Sequence, residues 1–240
     1  MTVIDAMNMD YQALNESVRR SDGDIQIDNC LGQRFRAAGQ SGRSIVINGV
    51  PGNALGAYLD GAAVTVNGNG QDAVGDTMND GSIVIHGNSG DATGYAMRGG
   101  EIYVRGNAGY RAGIHMKAYK EKKPVMVIGG TCGSFLGEYQ AGGVIMVLGL
   151  NAGNAPLVGY FCGTGMHGGK IILRCSKNSL SLPPQVNVDN PTPEDMKEIY
   201  QYVGKYCEYF GADKSGVMNA DFCVLTPNSS NPYKQMYVRN

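Results

Sequence analysis

The sequence predicts an all-β fold: a right-handed parallel β-helix of about seven coils, with a short N-terminal cap helix and a C-terminal helix. Three observations carry this expectation. A unit of about nineteen residues recurs, with copies starting near Asp24, Ser44, Ala63, Ser82, Glu101, Val125, Val144 and Lys170. A fixed period of this length marks a solenoid, in which each unit buries its apolar face only by stacking on its neighbours. With the first strand residue as offset zero, offsets one and three are apolar throughout, from Ile45 and Ile47 to Ile171 and Leu173. Strand alternation places both on one inner face. Glycine also returns at fixed offsets: at five in Gly49, Gly68, Gly87, Gly106, Gly130 and Gly149, and at twelve in Gly56, Gly75, Gly94, Gly113 and Gly137. A bend at every coil needs positive φ or close approach of neighbouring coils, and glycine permits both. Identical offsets stack only when coils run parallel, which excludes hairpins.

Residues 1–22 read as a cap for the open end of the stack. Tyr11, Leu14 and Val18 share one helical face, and Gly23 is the expected stop. Residues 23–181 are the β-helix. Each coil is expected to run strand, bend, strand, bend, with Leu59, Met78, Met97 and Met116 as a second apolar ladder. Offset two should face water, yet it reads Val46, Thr65, Val84, Tyr103, Val127, Met146 and Ile172. A solvated strand face is normally polar, so this stripe is expected to be covered by the C-terminal segment or by a partner. Offset four, Asp28, Asn48, Asn67, His86 and Arg105, reads as a hydrogen-bonded corner ladder.

Two coils carry insertions. IHMKAYKEKKP after Gly113 brings Lys117, Lys120, Lys122 and Lys123, and NAPLVGYFCGTGMHGG after Gly153 brings His167. Insertions on a solenoid fall on one face, often the binding face; a solvated loop is the default for the lysines. Residues 182–240 are linker, helix and tail. In the helix, residues 193–210, Thr192 is the N-cap, Pro193 the first position and Asp195 the capping-box partner. Met196, Ile199, Tyr200, Val203, Cys207 and Phe210 form its expected apolar stripe. The tail holds one short extended run.

Composition narrows the function. Glycine, at 36 of 240 residues, is about twice its usual share of ~7%, without collagen's three-residue spacing. A net charge of −1 gives no field for nucleic acid or an anionic membrane. The start has no secretory pattern and no apolar run is long enough to span a bilayer, so a cytoplasmic protein with reduced thiols is expected. The six cysteines form no Cys-x-x-Cys pair and the three histidines have no ligand spacing, so no metal site is expected on this chain. Gly68-Asn-Gly70 with Gly75 departs from dinucleotide spacing, and no helix follows it. Asp76 and Glu138 share an offset but lie three coils apart, about 14 Å, too far for a glycosidase carboxyl pair. A carbohydrate-active β-helix enzyme is therefore the least favoured reading.

The phrases GDTMNDGSIVIHG, GYAMRGGEIYVRGNAGYRAGIHMK, FLGEYQAGGVIMVLG and GTGMHGG resemble the C-terminal β-helix domain of glutamate synthase large subunits, in its stand-alone archaeal-type form related to domain 3. The unit at 87–100 also resembles one of the subunits of formylmethanofuran dehydrogenase and one of those of methylglutamate synthase. The resemblance implies a non-catalytic scaffold with no catalytic or cofactor-binding residue of its own. It further implies glutaminase and synthase partner subunits, the latter carrying FMN and iron–sulfur clusters, in a complex that moves the glutamine amide to 2-oxoglutarate. The alternative is a scaffold of one of the other two complexes. A homo-oligomer is also compatible. Tyr103, Met146, Lys117, Lys120 and His167 are the expected partner-contact residues.

Overall fold

The computed structural model describes residues 1–180 and 182–229; the expected boundary at residue 181 and the end of the tail lie outside them. The chain forms β1 (Thr2–Asp5), α1 (Tyr11–Arg20), β2 (Ile25–Leu31), β3 (Ser44–Val50), β4 (Asp60–Asn67), β5 (Asp80–Ile85), β6 (Glu101–Val104), β7 (Val125–Ile128), β8 (Ala141–Val147), β9 (Gly168–Leu173), β10 (Val186–Asp189), α2 (Pro193–Phe210), α3 (Lys214–Met218) and β11 (Cys223–Pro227). All eleven strands lie in one sheet, ordered β1 to β9 in sequence and then β11 and β10. β1 to β9 pair in parallel; β11 joins β9, and β10 joins β11, in antiparallel fashion. The parallel β-solenoid is therefore as the repeat predicts.

Register follows the offsets. Ile45 pairs with Val64, Val64 with Ile83, Ile83 with Ile102 and Ile102 with Met126. These residues and their offset-three companions are buried in one core that also takes Leu59, Met78, Met97 and Met116. Gln140 follows Met116 in that column. It is fully buried, and its Nε2 donates to the carbonyls of Gly142 and Gly143 at 3.3 and 3.2 Å.

The other half of each coil differs from expectation. It contains no second strand beyond isolated bridges such as Ala108 to Cys132. Offsets ten, twelve and fourteen instead adopt left-handed backbone in successive coils, as at Ala54, Gly56 and Tyr58, or Arg111, Gly113 and His115, with φ between +55° and +69°. Three such residues at alternate positions cannot be a strand. The conformation is held by hydrogen bonds that alternate up and down the stack. Ala54 and Tyr58 N–H donate to Asp72 and Asp76 of the next coil at 2.9 and 2.8 Å, while Gly56 N–H donates to Arg36 of the preceding coil at 2.7 Å. Each amide thus finds a partner, as buried backbone requires.

The two glycine ladders do different work. At offset twelve, positive φ alone does not select glycine, since Ala, Tyr and His adopt it two residues away. A Cβ there would point into the core, 2.4 Å from Ile102 Cδ1 at Gly75 and 2.3 Å from Ile145 Cδ1 at Gly113. At offset five, Gly68, Gly87, Gly106 and Gly130 have ordinary φ. Their Cβ would strike the coil below: 2.1 Å from Gly49 O at Gly68, and 2.2, 2.1 and 2.0 Å from the side chains of Asn69, Asn88 and Asn107 at the other three. Gly49 combines both features, with φ +128° and Cys30 O at 2.2 Å.

The N-terminal cap also differs in detail. The lead-in supplies β1 as an extra parallel rung, and α1 stops at Ser21, two residues before Gly23. Leu14 and Val18 are buried on the open end as expected. Beneath them lies Arg36, fully buried, donating through Nη2 to Tyr11 O at 2.6 Å and Arg34 O at 3.0 Å. Burial pulls its pKa down to about 10. The expected linker contains a 3-10 turn, Lys177–Ser179, and β10.

Candidate interaction face

The offset-two stripe is covered by the chain itself. Val84, Tyr103, Val127, Met146 and Ile172 form a second core with Ile199, Tyr202, Val203, Tyr206 and Cys207 of α2. Coverage begins at β5, since Val46 and Thr65 remain half-buried. Tyr103 and Met146, expected as partner contacts, are fully buried under α2 and present no surface to a partner. The helix is also rotated from the expected stripe. Met196 and Tyr200 are exposed, while Tyr202 and Tyr206 are buried. Tyrosine suits this role because its ring packs while its hydroxyl reaches a polar group. Tyr206 Oη donates to Arg105 O at 3.0 Å, and Gly129 admits it, since a Cβ there would lie 1.9 Å from that hydroxyl.

Polar clamps fix α2. Lys205 Nζ reaches both oxygens of Glu101 at 2.7 and 2.9 Å, and Tyr103 Oη donates to the same carboxylate at 3.0 Å. Lys170 pairs with Asp195 at 2.5 Å and with Glu198 at 3.1 Å; Lys123 pairs with Glu198. The capping box forms as expected, with Asp195 N donating to Thr192 Oγ1 at 3.2 Å and Thr192 N to Asp195 Oδ2 at 2.9 Å. Burial alone would raise the pKa of Asp195, but bonds from Lys170 and Thr192 outweigh it and hold the group at about 2.

The lysine insertion is split between internal and solvent roles. Lys122 bridges Asp80 at 3.0 Å and Asp60 at 3.4 Å, and Lys123 reaches α2, so these two are structural clamps. Lys117 and Lys120 stay exposed, Lys120 lying 5.3 Å from the centre of the Tyr119 ring. His167 is half-buried, with Nδ1 3.2 Å from Gly165 O. Among the described residues no hydrogen bond or ion pair links Lys117, Lys120 and His167 to one another.

The free face is the left-handed turn edge. In the first coils its offset-ten residues are small: Ala54, Ala73 and Ala92. From Tyr95 onward the edge becomes aromatic. His115 stacks on Tyr139 at 5.1 Å, Phe135 stacks on Phe161 at 5.0 Å, and Tyr95 meets His115 edge-on at 6.1 Å. Arg111 lies over Phe135 at 4.9 Å and pairs with Glu138 at 3.1 Å. Tyr110, Tyr160 and Phe161 are 54%, 80% and 56% exposed, far above what a core role would leave. Contiguous exposed aromatics with arginine are the composition of protein-binding surfaces. The sequence carried a signal for this face: aromatics recur at offsets nine, ten, thirteen and fourteen of the later coils only.

A second missed feature is a pair of polar ladders on the same edge. Asn69, Asn88 and Asn107 Oδ1 accept from the backbone N–H of Asn88, Asn107 and Thr131 at 2.7–2.8 Å. Asp72 and Asp91 Oδ1 do the same for Asp91 and Tyr110, at 2.9 and 2.8 Å. In the expected corner ladder Asn48 donates to Asp28 and Asn67 to Asn48, at 2.6 and 2.7 Å, while His86 packs edge-on against Phe210.

The remaining ionisable groups are held in structural settings. Among the described residues no three His, Cys, Asp or Glu side chains are placed to hold a metal ion, and no helix is long and apolar enough to cross a membrane. Burial pushes the Cys30 thiol up to about 11 and Cys162 to about 12, away from the thiolate a nucleophile needs.

Comparison with known proteins agrees with this architecture. The chain is 42% identical over 249 residues to an uncharacterized protein of Methanocaldococcus jannaschii, covering 98% of this chain and 95% of that one. Its fold is similar to a chain in the crystal structure of a formyltransferase/hydrolase complex from Methylorubrum extorquens in complex with methylofuran. The TM-score is 0.65 at 21% identity, over 91% of this chain and 88% of that one. The GXGXG motif profile matches residues 5–228, so glycine ladders, solenoid and family coincide, and the chain belongs to the GXGXG motif family.

Proposed function

We propose that this protein is a scaffold subunit of a multi-subunit enzyme complex, with the chemistry carried by other polypeptides. The observation that supports this most is the exposed aromatic half of the turn edge on a frame whose strand face is covered by the chain's own helix. A rigid stack with an aromatic and arginine-bearing edge suits docking of a folded protein. The fold likeness to a chain of a formyltransferase/hydrolase complex favours a formyl-transferring assembly of the formylmethanofuran type over the glutamate synthase type.

The test is co-purification of the tagged chain from its native lysate, read by mass spectrometry. Formyltransferase or hydrolase subunits in fixed ratio support the proposal. Glutaminase together with a flavin and iron–sulfur synthase would assign the scaffold to the glutamate synthase type instead. A chain eluting alone at native concentration refutes the scaffold reading. Replacing Tyr160 and Phe161 by Ala should cut partner recovery at least tenfold while leaving the melting curve of the isolated chain unchanged.

A further inference from the structure

The C-terminal cover is attached to the last coil by β11, whose Cys223 pairs in register with Leu173 of β9. Two residues beyond Leu173 stands Cys175, and its Sγ lies 3.9 Å from Sγ of Cys223. Cys223 is fully buried and Cys175 is half-buried, so one thiol of the pair is reachable by a small molecule. The segment between them holds β10, α2 and α3, the whole cover of the offset-two stripe.

We propose that Cys175 and Cys223 form a reversible disulfide that locks the C-terminal cover onto the end of the solenoid. The sulfurs are about 1.9 Å short of a bond length of ~2.0 Å. A thiol swings by more than that between staggered rotamers of its own side chain, so closure needs no new strand register. The oxidant is a small-molecule disulfide such as oxidised glutathione. Cys175, as thiolate, attacks one sulfur of that disulfide, forming a mixed disulfide and expelling one thiolate. Cys223 then loses its proton and attacks the Cys175 sulfur, forming the protein disulfide and expelling the second thiolate. The two protons released by the cysteines end on the two expelled thiols, so two protein thiols are oxidised and one small disulfide is reduced. The buried Cys223 thiol is held protonated by its bond from Cys175 and by burial, which makes the second step the slow one.

The partners are specific to this place in the fold. Cys30 lies under the N-terminal cap at the far end of the solenoid, and Cys207 packs on the opposite side of the sheet with α2. Cys132 and Cys162 are buried in the core on the Cys175 side. Cys162 is therefore the competing partner that the experiment must separate.

The experiment uses the full chain, incubated with reduced and oxidised glutathione at a series of ratios, alkylated and digested. The expected product is one Cys175–Cys223 linked peptide at oxidising ratios, reversed by dithiothreitol, with Cys30, Cys132, Cys162 and Cys207 alkylated after denaturation. Amide exchange in β11 and α2 should slow at least tenfold in the oxidised form, because the cross-link closes a long loop. Cys175→Ser should abolish the linkage and the exchange effect, while Cys223→Ser should leave Cys175 as a mixed disulfide with glutathione. Linkage of Cys175 to Cys162, six alkylatable thiols at every ratio, or unchanged exchange in the oxidised form would each overturn the proposal.

Discussion

Gly68→Ala separates close approach from backbone freedom. Gly68 has ordinary φ, so alanine fits the backbone there, and reduced freedom of the unfolded chain would stabilise by about 0.4–1 kcal/mol. Its Cβ, however, would sit 2.1 Å from the carbonyl oxygen of Gly49 in the coil below. An ordinary C···O contact is about 3.3 Å or more, so the two coils must part by roughly 1 Å. Backbone is what must yield, so the cost belongs at or above the top of the ~1–3 kcal/mol range for overpacking. The net loss is then about 2 kcal/mol, or a fall in Tm of roughly 4–8 °C for a chain of this size. Gly75→Ala provides the comparison: its obstacle is Ile102 Cδ1, the end of a side chain, and positive φ is tolerated by non-glycine neighbours. It should cost less than Gly68→Ala. Urea and thermal unfolding of both variants measure this, with amide exchange locating the opened coil. A neutral or stabilised Gly68→Ala, or the reverse ranking, would refute the assignment of offset five to coil-to-coil contact.

Other outcomes follow from the cover and the turn edge. Tyr103→Ala should cost about 3–5 kcal/mol in urea unfolding, because it empties a fully buried site between sheet and helix. Acid should loosen α2. Asp195 is held at about 2, below its usual 3.8, so its roughly 2 kcal/mol is present at neutral pH and lost as pH falls from about 4 through 2. Amide exchange in α2 should accelerate across that window, and Asp195→Asn should lose the pH dependence. Asp72→Ala removes the acceptor of the Asp91 N–H and should cost about 1 kcal/mol in thermal unfolding. Asp72→Asn, which keeps the acceptor oxygen, should restore most of it.

The local repeat was legible because a solenoid repeats one short-range problem. Each coil must turn its strand residues inward and let its backbone pass the coil below, so Ile83 and Gly68 announce their roles from position in a nineteen-residue frame. The capping box at Thr192 and Asp195 is local too, and it reads correctly. The apolar strand exterior was also visible, but not what covers it: α2 offered more than one apolar stripe, and only docking on Tyr103 selected Tyr202 and Tyr206 over Met196 and Tyr200.

What the chain alone determined is the period, the inward ladders and the places where no side chain fits. The tertiary structure decided which exterior is covered, which lysines are clamps and which edge remains for a partner. Lys205 meets Glu101 across 104 residues and Lys122 meets Asp60 across 62. Pairings of that span depend on where whole segments fold back, whereas an offset depends only on the coil next door.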